Sequence, residues 1–206
     1  MATERQNPDE RFLNLLQGIA AQGFQNAAKG FADMLGQSLT VTEPVIRTIS
    51  ILEIPKMLGG IENEGVGIYL RAEGDIAGQI MLILPYTKAL EMVDLLMSEP
   101  YGTTQQLGPL ERSALAEVGN LTGTFFMNTM ATQTGLSIRP TPPAVMVDMM
   151  GAILDIIIAT TGGIADTVLL FQTTFSAGNR ELNADFWIIP DPNTLDAIKG
   201  SKHRHE

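Results

Sequence analysis

The order of the predicted elements repeats, and this repeat constrains the fold more than any other feature of the chain. Each half begins with a long helical pattern, continues through an extended stretch and a short helical segment, and then gives two strands and a helix. Pro44 and Pro143, which are 99 residues apart, each follow the long helix and its opening strand, and Pro85 and Pro190 each end the last apolar strand. Because both pairs of prolines occupy corresponding places in the order of elements, we predict an internal duplication.

The duplication divides one predicted domain, residues 1–206, into two pseudo-symmetric halves at about 11–100 and 109–200. The predicted long helices and strand pairs are Arg11–Gln37, Gly65–Ala72 with Gly78–Leu84, Pro109–Thr134, and Ala165–Ser176 with Asp185–Ile189. The apolar run 148–159 is predicted to be a helix that ends at Gly162 and Gly163.

Composition excludes several classes of function. The net charge of −10 argues against nucleic acid, whose phosphates need clustered Lys and Arg, and against an anionic membrane surface. Because the chain has no cysteine, disulfide bonds, zinc fingers and cysteine nucleophiles are excluded. The polar N-terminus lacks the pattern of a signal peptide, and the longest apolar stretch, 144–159, is too short to span a bilayer. We therefore predict a soluble, cytoplasmic protein without membrane insertion.

The second long helix carries a polar row. Apolar residues recur every three or four positions along it, and Ser113, Glu117 and Asn120 recur at i, i+4 and i+7 on a different side. At about 100° per residue, these three residues lie within roughly 60° of one another. A hydroxyl, a carboxylate and a carboxamide are therefore predicted to share one helix face.

Small residues surround this row. Gly119 and Gly123 each cost a helix about 1 kcal/mol relative to Ala, which suggests that something is gained by having them. Small side chains let another protein surface come close, so Ser113, Ala116, Gly119 and Gly123 are predicted to contact a partner. The alternative is that the row is an ordinary solvated face and that the glycines serve packing against a second helix.

The duplication allows a comparison between the two long helices. An offset of 99 residues maps Ser113, Glu117 and Asn120 onto Asn14, Gly18 and Ala21, so the first half has neither a carboxylate nor an amide at the last two places. A row needed for packing between the two helices would be present in both halves. Its presence in one half favours a functional role over a structural one.

Several segments of the sequence resemble the CheC family of chemotaxis phosphatases. This family is related to CheX and to the flagellar switch component FliY. The resemblance rests on S-A-L-A-E-V-G-N at Ser113–Asn120, P-P-A-V-M-V-D-M at Pro142–Met149, the run Gly74–Pro85, and Q-N-A-A at Gln25–Ala28. It covers about residues 11–200. The first segment fits the family pattern (Asp/Ser)-x-x-x-Glu-x-x-Asn.

The resemblance implies an α+β fold, in which an antiparallel sheet carries two long helices side by side on one face. It also implies a substrate, the aspartyl-phosphate of a CheY-type response regulator. In such families the regulator carries most of the hydrolytic machinery, including a Mg²⁺ ion, so no cofactor is expected on this chain itself. Asn120 would then position the attacking water, and Glu117 would pair with a lysine of the regulator.

The chain departs from the family pattern in its first half. Many relatives have the Glu-x-x-Asn pair in both long helices, whereas Gly18 and Ala21 stand at the first-half places here, so the resemblance implies a single site. Loss of one site also leaves a second hypothesis open, because a chain that tolerates this loss need not be an enzyme. In this hypothesis the protein is a non-catalytic binding module of the chemotaxis or flagellar switch apparatus, which binds the regulator or the receptor deamidase CheD.

Other chemistry has weaker support in the sequence. The two histidines, His203 and His205, lie in a polar tail, where a metal-binding pair is less expected than a disordered end. Asp148 and Asp155 could form a paired-carboxylate site, although capping or a polar stripe fits them better. We therefore predict no metal site in this chain.

Overall fold

The computed structural model describes residues 8–160, 167–191 and 194–201. Its helices are α1 Pro8–Leu35, α2 Ile54–Met57, α3 Tyr86–Leu96, α4 Pro109–Thr134, α5 Met150–Thr160 and α6 Thr194–Ser201, and a 3₁₀ turn, Ile51–Glu53, precedes α2. Its strands are β1 Thr40–Val41, β2 Val45–Ser50, β3 Glu64–Gly74, β4 Gly78–Pro85, β5 Ile138–Pro140, β6 Ala144–Met149, β7 Thr167–Ala177 and β8 Arg180–Pro190.

The boundaries of the two long helices follow from local chemistry. α4 begins at Pro109, where the missing N–H would be unpaired in any residue, and it ends before Gly135, whose φ of 70° few other residues adopt. α1 ends in the same way before Gly36, with a φ of 63°. Among the helices within the described ranges, none has the length and apolar content needed to cross a membrane.

The strands form one antiparallel sheet in the order β1-β7-β8-β4-β3-β5, in which β2 also pairs with β7 and β6 also pairs with β3. The opening strands of each half therefore pair with the hairpin of the other half. Exchanging the two halves leaves this pairing pattern unchanged. That the halves superimpose stays a prediction, because sheet order alone does not measure their similarity.

Both faces of the sheet are covered by helices. The larger core lies under the long helices, where it includes Leu16, Ile19, Phe24, Ile68, Leu70, Phe126, Met127 and Phe171. The smaller core lies under α2 and α5, where it includes Ile54, Met81, Met150, Ile153, Leu170 and Trp187. Each fully buried side chain of this kind contributes about 1.5–3 kcal/mol of hydrophobic free energy, so both layers stabilise the sheet.

The long helices α1 and α4 pack side by side over the larger core. A Cβ on Gly30 of α1 would lie 2.7 Å from the ring of Phe125 in α4, so a larger residue there would displace that ring. Near the other end of the contact, Nε2 of Gln133 donates to Oε1 of Gln22 at 2.9 Å. Residue numbers fall along α4 as they rise along α1, so the helices are antiparallel. The predicted α+β fold, with two long helices on one face of an antiparallel sheet, is confirmed.

One strand begins earlier than the sequence indicated. β8 begins at Arg180, whereas the predicted strand began at Asp185. The first residues of β8 alternate between solvent and core, and Leu182 and Ala184 are the buried ones. The prediction was wrong here because it followed the continuous apolar run and passed over this half-buried alternation.

The helix predicted over 148–159 begins later. Asp148 still pairs with β3 as part of β6, and its Oδ1 accepts the N–H of Met149 at 2.7 Å. α5 therefore begins at Met150. The predicted helix break at Gly162 and Gly163 lies outside the described residues.

Candidate functional site

The buried side of α4 lies on β3, and two glycines allow the close approach. A Cβ on Gly119 would lie 2.5 Å from Cγ2 of Ile68, and a Cβ on Gly123 would lie 2.8 Å from Cδ1 of Leu70. Carbon atoms in packed interiors prefer separations of about 3.5–4.0 Å, so a side chain at either position would force Ile68 or Leu70 to shift. Gly119 and Gly123 therefore determine how deeply α4 sits on the sheet.

Pro143 supports the same turn of α4 from a second direction. The Cβ position of Gly119 lies 3.2 Å from Cβ of Pro143, which immediately precedes β6. The segment Pro142–Met149 thus touches the helical turn that also carries Asn120. The proline spacing indicated the duplication but gave no sign of this contact.

The solvent-facing side of α4 carries the polar row. Ser113 and Asn120 are exposed, and Glu117 is half-buried. Nδ2 of Asn120 donates to Oε2 of Glu117 at 3.4 Å, which is long and therefore weak for a hydrogen bond. Among the described residues, neither side chain makes another hydrogen bond or an ion pair. The carboxamide and the carboxylate are therefore both accessible to a partner.

This pair offers a specific and limited chemistry. A neutral carboxamide both donates and accepts hydrogen bonds, so Asn120 can hold one water molecule by two kinds of contact. Glu117, one helical turn away, supplies a negative charge that a cation on a partner can approach. The pair contains no activated nucleophile, because the nearby hydroxyl, on Ser113, has no base among its hydrogen-bonded neighbours in the described chain. A partner would therefore have to bring the reacting group.

The residues predicted to contact a partner divide into two sets. Ser113 is exposed and Ala116 is half-buried, so both remain available to another surface. Gly119 and Gly123 are buried against β3, so the predicted partner contact does not fit them. The alternative, packing against a second helix, does not fit them either, since their neighbours belong to β3 and Pro143.

The corresponding positions in α1 lack the carboxylate and the carboxamide. Gly18 is exposed, and a Cβ on it would meet no other atom within 4 Å. Ala21 is half-buried, and Asn14 is exposed. At Gly18, therefore, the predicted absence of a carboxylate is a matter of side-chain chemistry, since space for a side chain is present there.

A buried carboxylate fixes the connector that leads into α4. Oδ2 of Asp94 accepts the N–H of Gly102 at 2.7 Å, and Oδ1 accepts the N–H of Thr104 at 2.8 Å. Burial alone would raise the pKa of Asp94, but the hydrogen bonds from Thr104 and Gly102 outweigh it, so the pKa is lowered. Nε of Arg112 then donates to the carbonyl of Leu107 at 3.1 Å, which holds the start of α4. The signal for Asp94 was an acid in the last turn of an apolar helix before a Gly-Thr-Thr connector.

The weaker candidates do not form sites in the described residues. Asp148 lies on β6 and Asp155 lies on α5, and both side chains are exposed, so neither carboxylate is buried in a pocket. Within residues 8–160, 167–191 and 194–201, no three acidic or histidine side chains come together as a metal site. His203 and His205 lie outside the described residues.

Comparison with known proteins identifies the segment around the polar row. The CheC-like family matches residues 110–147, which include α4, β5 and most of β6. Over 193 residues the chain is 24% identical to the CheY-P phosphatase CheC of Bacillus subtilis (strain 168), with 92% of each chain covered. The resemblance seen in the sequence is thereby confirmed.

Solved structures share the fold. FliY of Thermotoga maritima is similar with a TM-score of 0.73 and 16% identity, over 98% of this chain and 100% of that chain. A chain of the FliG–FliM complex from H. pylori is similar with a TM-score of 0.67 and 10% identity, over 93% of this chain and 98% of that chain. At these identities, the matches establish a shared architecture and leave the chemistry to be argued from the site.

Proposed function

Because the chain is related to the CheC-like family, and the matched segment contains Glu117 and Asn120, we propose that it is a phosphatase that hydrolyses the aspartyl-phosphate of a CheY-type response regulator. The observation that carries this proposal is the accessible carboxylate–carboxamide pair on the solvent face of α4. α1 lacks such a pair, so the proposal includes one site per chain. A cytoplasmic location is part of the same proposal.

Asn120 acts by orienting water. Phosphoryl transfer depends mostly on holding the nucleophile in line with the bond that breaks and on stabilising the charge that develops. A carboxamide can hold the water beside the phosphoryl group without adding a second anion next to it. The exposed position of Asn120 on a regular helix lets the side chain enter a partner's site with little reorganisation.

Glu117 acts by docking. Its carboxylate would pair with a lysine of the regulator and would exchange its weak bond with Asn120 for that ion pair. This exchange would free the Nδ2 group of Asn120 for water. The Mg²⁺ ion that such hydrolysis uses is expected on the regulator, so this chain contributes position and charge, not a metal site.

The decisive measurement is phosphate release from a regulator charged with a small acyl phosphate, with and without this protein. Wild type is expected to accelerate release, and Asn120→Ala is expected to lower kcat by roughly 100-fold or more, as loss of a preorganised polar group does elsewhere. Asn128→Ala is the matched control, because it removes another exposed amide from the same helix and should keep the full rate.

Substitution of Glu117 tests binding of the regulator, through KM, separately from the chemical step in the same assay. Glu117→Lys is expected to raise KM by about tenfold at low salt, because it replaces attraction for a lysine by repulsion. Full activity of Asn120→Ala would reject the role of Asn120, and an unchanged KM for Glu117→Lys would reject the docking role. If wild type does not accelerate release, the enzyme proposal fails, and the binding-module reading, with the regulator or CheD as partner, takes its place.

A further inference from the structure

Each half of the chain has a bulge of one extra residue between its two opening strands. Residues 42–44 and residues 141–143 each lie opposite only two residues of the facing strand, β7 or β3. The first residue of each bulge is a threonine, Thr42 or Thr141, and its N–H donates to a carbonyl of the facing strand at 3.0 or 2.8 Å. The offset of 99 residues relates one bulge to the other, so the two can be compared residue by residue.

In the first half, a side chain of α1 covers the bulge. Nε2 of Gln17 donates to the carbonyl oxygen of Pro44, the last residue of the bulge. Pro44 is buried and Gln17 is half-buried. The amide of Gln17 therefore closes the space between α1 and the bulge, and it gives this carbonyl a partner.

In the second half, the corresponding space is open. The offset relates Gln17 to Ala116 and Pro44 to Pro143, and a side chain that ends at Cβ has no group to donate to a carbonyl. Within the described chain, no donor bonds to the carbonyl of Pro143, and Pro143 is only half-buried. The Cβ position of Gly119 lies 3.2 Å from Cβ of Pro143, so this bulge also contacts its long helix. A notch, which we define as the gap between Ala116 and the carbonyl of Pro143, is the result.

The notch lies on the same flank of α4 as the carboxamide of the candidate site. Ala116 and Asn120 are one helical turn apart and differ by about 40° around the helix, so their side chains are neighbours. Phe125, which contacts Gly30 of α1, lies about 180° from Ala116 around the helix. The notch therefore opens on the side of α4 that faces away from α1, next to Asn120.

The half that has the carboxamide has the open notch, and the half that lacks it has the closed one. We infer that the regulator, when it docks on Asn120, places an N–H donor in the notch and bonds it to the carbonyl of Pro143. This inference rests on the proposed function and adds a contact that determines affinity. A carbonyl can only accept hydrogen bonds, and a partner that covered it without a donor would remove its bonds to water and bind more weakly.

The test closes the notch in the way that the first half closes it. Ala116→Gln supplies an amide that should bond to the carbonyl of Pro143, as Gln17 bonds to Pro44. The full chain is titrated with regulator charged with beryllofluoride, a stable mimic of the acyl phosphate. Ala116→Gln is expected to raise the dissociation constant by about tenfold or more, because the notch is filled and its acceptor is occupied. Its melting temperature should be at least that of wild type, and equal affinity of the two proteins would overturn the inference.

Two control variants separate the notch from general effects of the substitution. Ala131→Gln adds the same side chain to another half-buried alanine of α4, about 22 Å along the helix from Ala116. Gln17→Ala opens the first-half notch and should lower the melting temperature, because the carbonyl of Pro44 loses its donor. Both controls should bind the regulator with wild-type affinity. A loss of affinity in either control as large as that of Ala116→Gln would reject the notch as the cause.

The carbonyl ¹³C signal of Pro143 reports the proposed bond in wild type without turnover. It is expected to move when the beryllofluoride-charged regulator is added, whereas the signal of Pro44 should stay in place. Movement without phosphate release in the rate assay would support the notch while the enzyme proposal fails. Phosphate release with a Pro143 signal that does not move at saturation would reject the notch while the proposed function stands.

Discussion

The two long helices have similar lengths and environments, yet one carries a candidate site and the other does not. α1 has 28 residues and α4 has 26, and both cover the larger core with an exposed polar stripe. On α4 that stripe holds Glu117 and Asn120, whereas on α1 the corresponding places hold Gly18 and Ala21. The difference teaches that a shared architecture positions two surfaces while a few side chains decide which surface has chemistry.

Glycine has opposite meanings in the two helices. In α4, Gly119 touches β3 and Pro143, so its missing side chain permits the depth at which the helix lies. In α1, Gly18 faces solvent with no atom near its Cβ position, so packing does not require a glycine there. Composition alone cannot separate these cases, because the separation depends on what the fold places opposite each glycine.

The largest expected difference between the two helices, in stability and in kcat, comes from substituting Ala for each of these glycines. Gly119→Ala should destabilise the fold by about 1–3 kcal/mol, because the branched side chain of Ile68 cannot easily move aside. It should also lower kcat by roughly tenfold or more, since a small displacement of the adjacent Asn120 misplaces the water. Denaturant unfolding and phosphate release measure the two effects.

Gly18→Ala is the matched control for that substitution. It should stabilise the protein by about 0.5–1 kcal/mol, because Ala favours a helix interior more than Gly does and meets no obstruction here. Its kcat should equal that of wild type. If Gly119→Ala leaves both stability and kcat unchanged, contact with β3 is not what positions the amide, and the contrast between the two glycines disappears.

The sequence was sufficient to predict those features that depend on local pattern. The long helices and the row of Ser113, Glu117 and Asn120 follow from periodicity and from the preferences of single residues. The pairing of each half's first strands with the other half's hairpin could not be predicted in this way, because it joins residues far apart in the chain, such as Ile46 with Phe171 and Gly74 with Ile138.

The direction in which small residues face was the main feature of the site that the sequence did not predict. Gly119 lies one residue before Asn120, so the two side-chain positions differ by about 100° around the helix, and one faces the sheet while the other faces solvent. A helix in which small and polar residues alternate could expose its small residues to a partner or pack them against the rest of the fold, and the pattern fits both cases equally well. The tertiary neighbours Ile68 and Pro143 decide between them, and they come from other parts of the chain.

An intermediate effect is expected at the connector that leads into α4. This connector is held by the buried carboxylate of Asp94, which accepts the N–H groups of Gly102 and Thr104. Asp94→Asn should lower the free energy of unfolding by about 1–3 kcal/mol at neutral pH, because the N–H groups of Gly102 and Thr104 lose a charged acceptor. Thermal or denaturant unfolding measures this loss.

The pH dependence of that loss identifies the carboxylate as its cause. The pKa of Asp94 is lowered in the folded protein, so its contribution is present above the pKa of an unfolded Asp, about 3.9, and is lost as pH falls through the folded-state value. The difference in stability between wild type and Asp94→Asn should therefore be constant near neutral pH and should shrink below about pH 4. A difference that persists unchanged at low pH would show that shape, not charge, holds the connector.

The smallest expected effect tests whether the two helices differ by side chains alone. Gly18→Glu with Ala21→Asn places the missing pair on α1, where Gly18 has open space around it. Two equal and independent sites would at most double the rate per chain, so the gain in wild type should be about twofold or less. Adding the pair in the Asn120→Ala background gives a clearer measurement, because all recovered activity then comes from α1.

The size of that recovery separates two explanations of the difference between the helices. If side chains of the pair suffice, the α1 pair should restore a rate near that of wild type in the Asn120→Ala background. If the surroundings of the pair on α4 also matter, the pair on α1 should give little activity and a high KM in the same background. Full recovery would show that the two helix surfaces are equivalent apart from these side chains, whereas no recovery would show that they are not.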